Sequence, residues 1–194
     1  MDGDILDMFL EEDIIIPPQP TYIRISNARE HFENTFRKIA TYFKFDYTYQ
    51  KGYDDVVDWL SDNKGKGLAL LGGCGVGKTM MLKYVLPYVI STQTDYKVAQ
   101  FDATKFRSIT DIDNLLKNKN IAIDDVGVEE VVSDYGNKVN PFSVIMDEVE
   151  KYNKMILFTS NLLPKELKER YKTRTYDRLK ATVTIATILG SSNR

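Results

Sequence analysis

Residues 68–79 read Leu-Ala-Leu-Leu-Gly-Gly-Cys-Gly-Val-Gly-Lys-Thr, an apolar run opening into G-x-x-x-x-G-K-T. The pattern spans Gly72, Gly73, Cys74, Gly75, Val76, Gly77, Lys78 and Thr79, and its chemistry is phosphate binding. Glycines let the backbone curl so that successive N–H groups face an anion. The lysine reaches the β- and γ-phosphates of a nucleoside triphosphate such as ATP, and the Thr79 hydroxyl ligates Mg²⁺. A helix that begins at Lys78 adds its positive dipole end. A dinucleotide site is disfavoured, because its glycine pattern does not end in Lys-Thr.

A second group follows at Ile121-Ala-Ile-Asp124-Asp125, where an apolar strand ends in two carboxylates. Open α/β sheets place ligands at that end of their strands. In phosphate-loop enzymes an acid at the place of Asp124 holds the Mg²⁺ shell, and Asp125 then stands to polarise the attacking water as general base. A third strand, Ile156-Leu-Phe-Thr159-Ser160-Asn161, also ends in polar groups. A neutral amide at Asn161 is suited to bond the γ-phosphate or the lytic water, although asparagine is also an ordinary turn residue there. Arg174 and Arg178, four apart on one helix face, are candidates for a guanidinium delivered to a neighbouring subunit's phosphates. A surface salt bridge or a DNA contact is the competing reading of each.

These groups need a scaffold of strands alternating with helices. Strands are expected at 67–71, 97–101, 120–124, 155–159 and 183–188. Helices are expected at 53–61, 78–90, 109–118, 141–152 and 164–180. Near-continuous apolar strands between helices imply a parallel sheet covered on both faces, an α/β three-layer sandwich with five strands. Upstream, Asn27-Ala-Arg-Glu30 reads as a capping box opening a helix, with Phe32, Phe36, Ile39 and Phe43 on one core-directed face. The first ten residues fit a short amphipathic helix, and Ile14–Pro20 fits an extended linker. That tethered, apolar-edged acidic segment is either a partner-docking peptide or a strap on its own domain. The organisation expected is an acidic segment with a proline-rich linker at 1–20, a helical extension at 21–52 and the nucleotide-binding core at 53–194.

The chain has 194 residues, 43% hydrophobic and 28% charged, which suits one globular domain. No apolar stretch reaches membrane-span length, and the acidic N-terminus lacks the basic region of a secretory signal. The single cysteine, Cys74, forms no internal disulfide, in keeping with a reducing cytoplasmic setting. His31, the single histidine, has no metal-binding neighbours in sequence. The net charge of −2 is unevenly spread. Residues 1–23 carry acids and no Lys or Arg, while residues 165–180 are rich in both bases, a possible DNA-facing surface or simply a solvated helix face.

Taken in order, these motifs resemble the DnaC/IstB-like branch of AAA+ ATPases, the phage and bacterial helicase loaders and transposition ATP-binding proteins. The resemblance covers about residues 53–194 and includes Asp124-Asp125-Val-Gly with Glu129-Glu130, Asp134-Tyr-Gly-Asn137 and Gly190-Ser-Ser-Asn-Arg194. It implies ATP and Mg²⁺ as ligands, Asn161 as sensor 1, Arg178 or else Arg174 as trans-acting finger, and Arg194 closing a C-terminal motif. The implied partners are a replicative helicase, or in the transposition reading a transposase, together with DNA, single-stranded in the loader reading. An ATP-dependent homo-oligomer is implied as well. The chain stops after its fifth strand, so an AAA+ core without a helical lid is expected. Aspartate rather than glutamate at Asp125 implies slow basal hydrolysis. A nucleotide-gated binding module with negligible hydrolysis is the remaining alternative.

Overall fold

The computed structural model describes residues 18–134 and 136–189. The expected helix at residues 4–10, most of the linker and Arg194 lie outside them. The elements run α1 (Ala28–Phe43), α2 (Tyr53–Ser61), β1 (Gly67–Leu71), α3 (Lys78–Met80), a π-helical turn (Met81–Val85), α4 (Leu86–Gln93) and β2 (Ala99–Asp102). They continue with α5 (Ile109–Leu116), β3 (Asn120–Asp124), β4 (Val132–Asp134), β5 (Asn137–Val139), α6 (Pro141–Lys151), β6 (Met155–Ser160), α7 (Pro164–Thr182) and β7 (Val183–Thr187).

Five strands form one sheet in the order β2-β3-β6-β1-β7, every pair parallel. Alternation along the strands divides the core in two. Leu68, Leu70, Ala122 and Leu157 face a layer built from α1, α2 and the helix after the phosphate loop. Ala69, Leu71, Ile121, Ile123, Ile156 and Phe158 face α5, α6 and α7. This is the expected three-layer sandwich. No helical lid follows β7 among the described residues, and no helix there is long and apolar enough to cross a membrane.

Several local features differ from expectation. Asn27 adopts φ 53° and its side chain makes no capping bond, so the expected box does not form. A box does form at Ser108 and Asp111, which exchange backbone bonds at the start of α5. The Phe stripe is core only in part: Phe32 and Phe36 are fully buried, whereas Phe43 is half-exposed. The expected helix over 78–90 is interrupted by the π turn. Pro87 has no N–H for the Lys83 carbonyl four residues back, and Gln100 Nε2 donates to that oxygen at 2.9 Å instead. α7 breaks at Lys172 (φ 62°, ψ 174°). The two three-residue strands of the β4–β5 hairpin were not expected at all.

At the N-terminal edge of the sheet, residues 20–25 run as an extended strap. Asn63 clamps it: its Oδ1 accepts from Ile23 N at 2.8 Å, and its Nδ2 donates to the Thr21 carbonyl at 2.9 Å. Thr21 Oγ1 in turn donates to Asn120 Oδ1 at 2.7 Å. The segment before residue 53 therefore shares one apolar core with the strands that follow.

Candidate functional site

The phosphate loop leaves β1 at the C-terminal edge of the sheet, and its shape is enforced from below. Gly77 has φ 88°, and a Cβ there would meet Tyr53 Oη at 2.9 Å and a Phe36 ring carbon at 3.2 Å. Tyr53 Oη donates to the Val76 carbonyl at 2.9 Å. Tyr53 stacks in turn on Phe36, with ring centroids 5.6 Å apart. The aromatic cluster of α1 and α2 is thus a bed for the loop. Gly72 (φ 142°) passes so close to the residue after β7 that a Cβ would lie 2.2 Å from the Ile188 carbonyl oxygen. Gly73, by contrast, has open space where a side chain would go.

Lys78 is only 5% exposed. Its ammonium donates to the carbonyls of Gly72 (2.8 Å) and Gly73 (2.7 Å) and to Asn161 Oδ1 (3.0 Å). Burial lowers its pKa. The three acceptors are neutral, so the buried charge retains a strong preference for an anion. The geometry joins Lys78 to Asn161, two residues that are 83 positions apart.

Asp124 and Asp125 end β3 in different environments. Asp124 Oδ1 accepts from Thr159 Oγ1 at 2.6 Å and from Thr79 Oγ1 at 3.1 Å. Its Oδ2 meets Lys83 Nζ at 2.7 Å, while the Asp124 side chain is 3% exposed. Asp125 sits at φ 59°, left-handed backbone that a non-glycine residue rarely adopts. Its N–H donates to Thr159 Oγ1 at 2.8 Å. Thr159 therefore ties the two acids together, bonding the side chain of one and the backbone of the other. Burial raises the Asp125 pKa, with Asp124 and then Asp102 adding repulsion. A carboxylate with raised proton affinity is the better base.

These groups line a cleft of about 620 Å³. Its walls include Cys74, Gly75, Gly77, Lys78, Thr79, Asp124, Asp125 and Asn161, all expected, and Phe43, Phe45, Met80, Lys83 and Asp102, which were not. The polar end holds the loop, and the two phenylalanines offer rings suited to stack on a base. Lys83 carried one signal in sequence, Pro87 four residues beyond it, which marks the helix as irregular there. Asp102 carried none, since an acid at a strand end is common. The hard oxygen donors Thr79 and Asp124, within hydrogen-bond distance of each other, suit Mg²⁺. Among the described residues no cluster of His, Cys, Asp and Glu forms a separate metal site.

The arginines lie on α7 and line no part of the cleft. Arg178 is held by Asp147 and by Glu150 (2.7 Å) of α6, with its side chain 19% exposed. Arg174 reaches Asp147 only at 3.9 Å and its side chain is 78% exposed. The motif acid Glu129 is buried. It accepts from Gly127 N (2.7 Å), Asn140 Nδ2 (3.3 Å) and Tyr171 Oη (2.5 Å), fastening the turn after Asp125 to α7.

Comparison with known proteins agrees with this fold. The family described as Novel STAND NTPase 3 matches residues 47–192. Among solved structures, DnaI is similar over 83% of this chain and 94% of its own, at 18% identity and a TM-score of 0.59. A putative primosome component from Streptococcus pyogenes serotype M3 is similar over 77% of this chain and 86% of its own, at 18% identity and TM-score 0.60. The DnaC helicase loader is similar over 89% and 97%, at 17% identity and TM-score 0.53. At these identities the likeness is one of fold, and that fold is the one the DnaC/IstB-like motifs implied. No curated protein matches in sequence.

Proposed function

We propose, from the premise that this chain belongs to the Novel STAND NTPase 3 family, that it binds and slowly hydrolyses ATP with Mg²⁺ to drive assembly of a replicative helicase on DNA. The observation that carries the nucleotide reading is the convergence of Lys78, Thr79, Asp124, Asp125 and Asn161 on one cleft from the loop and two strand ends. In this reading the loop N–H groups and Lys78 bind the phosphates, and Thr79 and Asp124 hold Mg²⁺, which neutralises phosphate charge when bound. Asp125 accepts a proton from the attacking water, while Asn161, now bonded to Lys78, reports the terminal phosphate. The loader role rests on a fold shared along nearly the whole lengths of DnaI and the DnaC helicase loader. Of the two arginines, Arg174 is the freer to act on a neighbouring subunit.

Two measurements test the reading. ATP turnover by the wild-type protein, slow alone and faster with single-stranded DNA, is expected to be lost in Asp125→Asn while nucleotide binding persists. Equal turnover in the two proteins would remove Asp125 as base. Tagged protein purified from its native cells with Mg²⁺ and ATP is expected to retain a hexameric helicase. Retention of a transposase instead would replace the loader role.

A further inference from the structure

Lys83 has no part in the nucleotide chemistry described above, yet it holds the most buried acid of the site. Its ammonium lies 2.7 Å from Asp124 Oδ2, while Thr79 and Thr159 occupy Oδ1. Both oxygens of that carboxylate therefore already have a partner. The side chain is brought there by the π turn, which inserts an extra residue into the turn bearing Lys83. Gln100 of the neighbouring strand then secures the carbonyl of Lys83 itself. The ammonium is not deeply enclosed. Lys83 also lines a second cavity of about 350 Å³ beside the cleft, together with Gln100, Phe101, Asp102 and Lys105. Asp102 is paired in register with Asp124 across β2 and β3, and strand neighbours lie about 4.8 Å apart. A second carboxylate thus stands one strand away, and Asp102 and Lys83 line both the cleft and the second cavity.

We infer that Lys83 is a resident cation that occupies Asp124 until Mg²⁺ arrives with nucleotide, and then passes to Asp102. The inference rests on the reading of the cleft as a Mg²⁺–nucleotide site. Its electrostatic logic is simple. A carboxylate this buried needs a positive partner at all times. A lysine can serve in the empty state, and a hydrated divalent ion then has to compete with it for the same oxygen. Binding of metal without nucleotide is disfavoured in consequence, because one ammonium already supplies the charge. With nucleotide present, the phosphates add negative charge that one lysine cannot balance. Asp102 gives the displaced ammonium an acceptor, so the exchange leaves no charge unpartnered. Lys83 is on this account a positioning residue that couples metal entry to nucleotide entry.

The test measures binding of mant-ADP by fluorescence, in EDTA and across a Mg²⁺ titration. Lys83→Met is expected to lower the Mg²⁺ midpoint about tenfold and to allow Mg²⁺ alone to raise the melting temperature of the nucleotide-free protein. In the wild type, Mg²⁺ alone is expected to leave the melting temperature unchanged. Lys83→Arg, which keeps the charge and grips a carboxylate with two donors, is expected to raise the midpoint. Asp102→Asn removes the second acceptor and is expected to raise it as well. If Lys83→Met does not fold, the other two variants carry the test. A Mg²⁺ midpoint unchanged across the variants that fold would overturn the inference. Failure of the wild-type protein to bind mant-ADP under any condition would instead overturn the site reading on which it rests.

Discussion

The two edges of the central sheet both bury polar groups, and they do so by opposite means. At the N-terminal edge the groups are neutral and mutually satisfied. Asn63, 1% exposed, accepts from Ile23 N and Gly65 N and donates to the carbonyls of Thr21 and Lys66. At the C-terminal edge the groups are charged, and they face an open cleft. Lys78 rests on neutral oxygens, and Asp124 shares a lysine and two hydroxyls. A closed set of neutral hydrogen bonds contributes to stability and has no capacity left for a ligand. Buried charges with incomplete counterparts hold free energy that an arriving ligand of opposite sign can release. The contrast separates residues that maintain the fold from residues that wait for something.

The largest expected effect breaks the charged edge. Lys78→Ala should weaken nucleotide binding by about a hundredfold or more, since several charge-assisted bonds are lost together. Its melting temperature should stay close to that of the wild type, because removing a buried, imperfectly paired ammonium also removes its desolvation cost. Calorimetric titration with ATP and a thermal melt check both halves. The neutral edge should behave in reverse. Asn63→Ala strips partners from buried backbone groups of the strap and should cost roughly 3 kcal/mol, with a melting temperature lower by roughly 6–12 °C. At temperatures where the variant is folded, its nucleotide affinity should be unchanged. A variant at either edge that moved both quantities strongly would erase the distinction.

The charged edge was largely legible in sequence, and the neutral edge was not. Phosphate loops and strand-end acids have fixed residue types at fixed spacing, because the ligand's geometry imposes them. Lys78, Thr79, Asp124, Asp125 and Asn161, picked out on that basis, line one cleft. The main strands were also legible, with β1 and β3 matching the expected limits, since continuous apolar runs between turns leave little choice. Asn63, Thr21 and Asn120 bear ordinary polar residue types and meet only through folding, across 99 positions in the case of Thr21 and Asn120. The same reason hid Thr159 and Lys83, whose roles depend on a neighbouring strand and on the π turn. Asn27 misled because its residue type suits a cap, while its backbone is left-handed. The resemblance put Arg178 before Arg174, and only in the fold do the acids of α6 hold Arg178 and leave Arg174 exposed.

One residue links the aromatic bed to the charged edge, so it sharpens the comparison from between. Tyr53→Phe keeps the ring against Phe36 and removes the bond to the Val76 carbonyl. A buried carbonyl left without that donor costs about 1 kcal/mol. The loss should appear in both readouts at once, as a modest fall in melting temperature and a few-fold weaker nucleotide binding. An effect on stability alone would mean that the loop holds its shape without Tyr53.

The smallest expected effect lies away from both edges, where solvent does most of the work. Arg29 on α1 donates to Asp54 of α2 and, at 2.6 Å, to Tyr49 Oη, which itself donates to Asp54 at 2.9 Å. Arg29 first and Tyr49 second hold the Asp54 carboxyl below its ordinary pKa. A carboxyl whose folded pKa is depressed contributes stability above its unfolded pKa, and that contribution disappears as pH falls through the folded value. Wild type and Asp54→Asn should therefore differ slightly in melting temperature at neutral pH and converge in acid. The pair is exposed and screened, so added salt should narrow the neutral-pH gap as well. A gap that persisted unchanged in acid would mean that Asp54 acts through packing rather than charge. In that case the surface network would belong with the neutral edge, as part of what joins α1 to α2.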